Sequence, residues 1–134
     1  VDWKSTEFRG VAPTIDNVVG EFGIRQLLAE AVGDKGAENA AEGWRGDRYL
    51  SFGKGESLIW KTLWRNEVEA EEFMTAYRAA LEKRYVPQQP KSTEESFEAD
   101  QPRALRLYRK GPAVVLADAP TPDVAAELIQ NFGE

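Results

Sequence analysis

The sequence predicts a single α+β domain: an antiparallel or mixed sheet of about four strands, made of two hairpins, with helices packed mainly on one face. Three observations carry this. Two runs with strand character, Arg48 to Phe52 and Ser57 to Trp64, flank Gly53-Lys54-Gly55-Glu56, and a second such pair surrounds Gly111-Pro112. Helical stripes with start and stop signals precede, separate and follow the two hairpins. The chain is 134 residues long, 42% hydrophobic and 30% charged. That length gives one domain with a core that needs no staples.

Taken in order, residues 1–13 form an irregular arm. Trp3 and Phe8 either pin it to the body or leave it partly frayed. Asp16 or Thr14 caps a first helix running to about Val32, with Ile15, Val18, Val19, Phe22, Leu27, Leu28 and Ala31 as its inner stripe. Gly20 and Gly23 fall inside that helix at a propensity cost of ~1 kcal/mol each, so a backbone or a bulky ring is expected against them. Gly33-Asp34 ends it and starts a short Ala-rich helix that Gly43 stops.

The stretch Gly43 to Trp64 holds three of the four tryptophans and organises the rest. In its second strand Leu58, Trp60, Thr62 and Trp64 share one face, and Ile59 and Leu63 share the other. Asn66 caps the next helix, with Glu69 completing a capping box, and Ala70, Phe73, Met74, Tyr77, Ala80 and Leu81 lie along its inner side to about Tyr85. Acidic residues crowd its start and Lys83 and Arg84 its end, as the helix dipole favours. Residues 86–102, with three prolines and only Val86 and Phe97 as large apolar residues, read as a long solvated loop. The second hairpin follows over Arg103 to Lys110 and Ala113 to Ala119. Thr121 then caps a last helix with Pro122 at its first position and Val124, Leu128, Ile129 and Phe132 turned inward.

Composition excludes several chemistries. Without histidine or cysteine the chain has no Ser-His or Cys-His nucleophile pair, no thiolate zinc site and no redox dithiol. Calcium or magnesium is the only metal class left, and no spaced Asp/Asn loop for either is present, so no cofactor is expected. A net charge of −6 argues against nucleic acid as partner. No apolar run approaches the ~18 residues of a membrane span, so no insertion by this chain is expected. The sequence begins at Val1, with neither an initiator Met nor an apolar signal segment, and reads as a piece of something longer.

The one dense cluster of special residues is Gly43-Trp44-Arg45-Gly46-Asp47-Arg48-Tyr49. As a recognition loop it would offer Trp44, Arg45, Asp47, Arg48 and Tyr49 to a carboxylate-bearing or sugar ligand. As a structural junction it needs no ligand: Gly43 ends a helix, Gly46 turns the chain, and Asp47 and Arg48 lock it. The structural reading carries the greater weight. It yields a sharper expectation, an ion pair between Glu21 and Arg48 or between Arg25 and Asp47 that ties the first helix to the sheet. Trp60 and Trp64 read as core rather than as a sugar platform. The Glu67–Glu72 cluster reads as a solvated helix start rather than a calcium site.

The segments GEFGIRQLL, ENAAEGWRGDRY, LIWKTLW and EVEAEEF resemble the C-terminal domain of large exported bacterial and archaeal proteins of uncharacterised function. Many of those carry an upstream region similar to zinc metallopeptidases of the HExxH type. The similarity covers roughly residues 16–85. Arg45 stands where a second glycine is more usual, and the would-be zinc ligands have no counterpart here. The resemblance implies an extracytoplasmic setting and an accessory role, with the parent's N-terminal region, a peptide or an envelope component as partner. It supplies no catalytic residues. The alternatives are a small carboxylate-dependent hydrolase and a structural dimerisation module.

Overall fold

The computed structural model describes residues 1–85 and 90–133. Its centre is one antiparallel sheet of seven strands: β1 (Ile15–Asn17), β2 (Trp44–Phe52), β3 (Ser57–Trp64), β4 (Lys91–Ser92), β5 (Ser96–Ala99), β6 (Ala104–Lys110) and β7 (Ala113–Ala119), in the spatial order β1-β2-β3-β7-β6-β5-β4. Three helices accompany it: α1 (Gly20–Ala41), α2 (Glu67–Tyr85) and α3 (Pro122–Phe132).

The expected two hairpins form the middle of the sheet, but the expectation of about four strands is wrong. One extra strand, β1, arises from residues assigned to the first helix. It pairs with β2 in the register Ile15↔Ser51 to Asn17↔Tyr49. Two more arise from the supposed solvated loop, where β5 pairs with β6 and β4 with β5. The reason is packing: Phe97 is fully buried and edge-on to Tyr85 at 5.9 Å, and Ala99 is buried beside it. Val86 lies outside the described residues.

The period of two in the strands sorts the core into two layers. Trp60, Trp64, Val114, Leu116, Leu105, Leu107 and Phe97 face α1 and α2. Leu50, Phe52, Ile59, Val115 and Ala117 face Ala125, Leu128 and Phe132 of α3 and Phe8 of the arm. Helices therefore cover both faces, two on one side and one on the other. The arm is anchored: the Trp3 indole N–H donates to the Phe132 carbonyl at 2.9 Å, and the Arg9 guanidinium grips Glu127 through two bonds of 2.6 and 3.1 Å.

Both predicted caps of the later helices are present. Thr121 Oγ1 accepts from the Val124 amide at 3.3 Å, and Asn66 Oδ1 accepts from the Glu69 amide at 2.9 Å. The Glu69 carboxylate turns to Arg65. α1 is broken at Gly33 (φ 79°, ψ 165°), a conformation open essentially to glycine alone, so the predicted helix-to-helix junction stands where Gly33-Asp34 placed it. The predicted inner stripe of this helix is wrong at its start. Ile24 and Leu28 are its large buried residues, whereas Val18, Phe22 and Leu27 are exposed. The helix begins at Gly20, three residues later than a cap at Asp16 implied, so Ile15 and Val18 precede it.

Candidate functional site

β2 carries Trp44, Arg45, Asp47, Arg48 and Tyr49 on a strand rather than a loop. Its ladder to β3 slips between Trp44 and Gly46, where Trp44 faces Trp64 and Gly46 faces Leu63. Arg45 is the extra residue of this β-bulge and stands in solvent. After the bulge Asp47 and Tyr49 point toward α1 and α2, and Arg48 points to the opposite face.

Asp47 is 4% exposed and lies under the start of α1. Its Oδ2 accepts from the Val19 amide at 2.7 Å and from the Trp60 indole N–H at 2.9 Å. Its Oδ1 accepts from the Gly20 amide at 2.9 Å and from the Trp44 indole N–H at 3.0 Å. α1 has no side-chain cap of its own, so the strand supplies one. A carboxylate at the positive end of the helix dipole, with four donors on two oxygens, is compensated for its burial. Gly20 starts the helix at φ 82°, which lets its amide turn to the carboxylate.

Both expected ion pairs are absent. Arg48 is on the face away from Glu21 and pairs instead with Asp16 on neighbouring β1, through bonds of 2.8 and 2.7 Å, with its guanidinium over the Trp3 ring. This hydrogen-bonded pairing holds the Asp16 carboxyl below the usual carboxylate range and Arg48 above its own. Glu21 is exposed. Arg25 approaches Glu38, across the break in its own helix, at 3.9 Å. The tie between the first helix and the sheet exists, but backbone amides and indoles make it, with Asp47 as the sole charged member.

The glycines divide by cause. No ring or foreign backbone lies against Gly20 or Gly23: a Cβ on Gly20 would meet nothing within 4 Å, and one on Gly23 only Val19 of the same turn. Gly43 is the position of close approach, since a Cβ there would fall 2.5 Å from Cβ and Cγ of Glu69 at the start of α2. Gly46 serves the bulge.

Trp60 and Trp64 are core, as the sequence indicated. Trp60 is edge-on to Phe73 at 6.0 Å and to Tyr77 at 5.7 Å, and Trp64 is stacked on Phe73 at 4.6 Å. The Trp64 indole N–H donates to Thr62 Oγ1 at 2.8 Å, and that hydroxyl donates to the Val114 carbonyl at 3.1 Å. Burial pushes the Tyr77 phenol well above its ordinary range, so it stays neutral in the core.

The arrangement has little to offer as reactive chemistry. Both oxygens of the one buried carboxylate in the motif are taken up by internal donors. The Asp16 and Glu127 carboxyls, each held by an arginine, are shifted toward the ionised form, away from what a general acid needs. Among the described residues, no group of three or more Asp or Glu side chains is placed to hold a metal ion, and no helix is long and apolar enough to cross a membrane.

A surface feature was missed by sequence reasoning. Of six exposed large hydrophobic residues among those described, Val11, Ile15, Val18 and Phe22 fall on either side of or within β1, and Phe22 is 67% exposed. β1 is an end strand with a ladder partner on one side only. The signal is the apolar spacing of Ile15, Val18 and Phe22, which reads from sequence as a buried helix face. No curated protein and no solved structure matches the chain. One family matches residues 10–129, nearly all of it and both faces of the sheet, and the chain belongs to that family, described as Domain of unknown function (DUF8575).

Proposed function

We propose that the chain is a non-catalytic accessory and binding domain of an exported, peptidase-like protein, working outside the cytoplasm. The contact surface moves from the Trp44–Tyr49 cluster to the β1 edge. The observation that carries this is the concentration of exposed Val11, Ile15, Val18 and Phe22 around an end strand, while the polar groups of Trp44, Asp47 and Arg48 in the GWRGDRY segment are engaged within the fold. An open edge bordered by apolar side chains suits an extended peptide that adds a strand, with main-chain bonds giving affinity and side-chain contacts giving selectivity. The partner is an extended segment of the parent's N-terminal region or of an envelope protein.

The test is a screen of the domain against peptide and glycan libraries and against the parent's upstream region, repeated with Phe22→Ser. Binding of an extended peptide by the wild type, weakened about tenfold or more in Phe22→Ser at unchanged melting temperature, supports the reading. Binding that Phe22→Ser leaves intact, no binding at all, or substrate turnover by the domain defeats it.

A further inference from the structure

α1 and α2 lie side by side, and their outer sides form a groove far in sequence from β1. A cavity of about 530 Å3 opens there, bordered by Val32, Gly36 and Ala40 of α1 and by Val68, Glu72 and Ala79 of α2. A second, of about 480 Å3, lies between the same helices beside Leu27, Ala80 and Lys83. The floor is apolar and small, and Val68 (62%) and Leu27 (40%) stand exposed at its two ends.

The charges on this side of α2 are arranged by position. Glu72 and Lys83 are both exposed. Eleven residues separate them, three turns plus about 20°, so they share a face at opposite ends, ~16 Å apart along the axis. Among the described residues Glu72 has no ion pair, and Lys83 Nζ reaches only the Ala31 carbonyl at 3.5 Å. Glu71, which also borders the first cavity, is already drawn to Arg109 at 3.5 Å.

We propose that this groove is the interface of a homodimer. In it α2 runs antiparallel to the same helix of a second copy, about a two-fold axis between Tyr77 and Arg78. Glu72 and Lys83 stand equally far from that midpoint, as do Thr75 and Ala80, and Ala76 and Ala79. The symmetry therefore sets Glu72 against Lys83 of the partner subunit, twice, and brings small residues together at the centre, where the helices can approach closely. Charge selects the occupant. A helix acidic at its start and basic at its end is complementary to an antiparallel copy of itself, whereas a parallel copy would oppose like charges and a helix of one sign would match half the groove.

Sedimentation equilibrium of the wild type, Glu72→Lys, Lys83→Glu and the double swap tests this. The wild type is expected to dimerise. Each single change places like charges at both symmetry-related contacts and weakens dimerisation about tenfold or more, and the double swap restores it to within about threefold. The dimer also weakens as salt rises. Both positions are solvent-facing, and equal melting temperatures in dilute solution confirm that each variant folds. A wild type that stays monomeric to millimolar concentration, single changes without effect, or a double swap as weak as the singles overturns the proposal. Phe22→Ser leaves dimerisation unchanged, so this interface and the β1 edge stand or fall separately.

Discussion

Replacing Asp47 with Asn changes one atom in the place where helix α1 meets the sheet. Each carboxylate oxygen takes two donors: the Val19 amide and Trp60 indole on one, the Gly20 amide and Trp44 indole on the other. An asparagine keeps a single acceptor, so in either orientation two donors face an NH2 group. A hydrogen bond to a charged acceptor is worth roughly 1.5–3 kcal/mol, so losing two removes about 3–6 kcal/mol. Relief from burying a charge in a site only 4% exposed returns part of that, leaving a net loss of about 2–4 kcal/mol. For 134 residues the entropy of unfolding, near 2.1 cal/mol/K per residue, makes this a drop in Tm of ~7–14 °C. Differential scanning calorimetry measures it, and tryptophan emission reports the disturbance at Trp44 and Trp60. Arg45→Ala, two residues away at the bulge and in solvent, is the control and stays within about 0.5 kcal/mol. An Asp47→Asn protein that melts within ~2 °C of the wild type refutes the capping argument.

Three further outcomes are expected. Phe97→Ala costs about 3–5 kcal/mol by urea unfolding, because the ring is fully buried against Tyr85; a loss below ~0.5 kcal/mol would return residues 91–99 to a solvated loop. Arg48→Ala costs no more than about 1 kcal/mol, since it and Asp16 are 26% and 37% exposed. The Asp16 carboxyl is depressed in the fold, so the wild type's advantage over Arg48→Ala is full above its unfolded pKa of ~3.9 and lost as pH falls through the lower folded value; pH-dependent melting curves that stay parallel into acid would contradict this. Gly43→Ala destabilises by about 1–3 kcal/mol through collision with Glu69, and trimming that neighbour in the double variant with Glu69→Ala recovers part of the loss, whereas Gly33→Ala, with open space around it, loses a similar amount through backbone strain that no neighbour's removal relieves.

The central hairpins, α2 and α3 were legible because their signals are local: Asn66 and Thr121 cap, Gly53 to Glu56 and Gly111-Pro112 turn, and the residues around Trp60 alternate with the strand period. β5 was not legible, since its inward side is one phenylalanine and one alanine in an acidic, proline-flanked segment. Its strand state is set by docking on Leu105 and Leu107 rather than by propensity. Ile15, Val18 and Phe22 misled for the opposite reason. Their spacing is helical, yet β2 claims Ile15 as an edge partner and the helix starts beyond Val18. The core role of Trp60 and Trp64 could be read, and so could the locking role of Asp47. The partners of Asp47 could not, because two are backbone amides from a distant helix and carry no sequence mark. Arg48 was misassigned because its actual partner, Asp16, lies on β1, a strand formed by residues whose spacing reads as a helix start.

Helix ends ordinarily open first, and their early amides exchange with solvent within moments. In this chain the opening amides of α1 are held by a carboxylate rooted in the second strand of a seven-stranded sheet, so releasing them also abandons two indoles. The leading turn of α1 therefore cannot melt on its own. Val19 and Gly20 should be among the last sites to take up deuterium, later than the middle of the same helix near Gly33, which reverses the usual gradient along a helix.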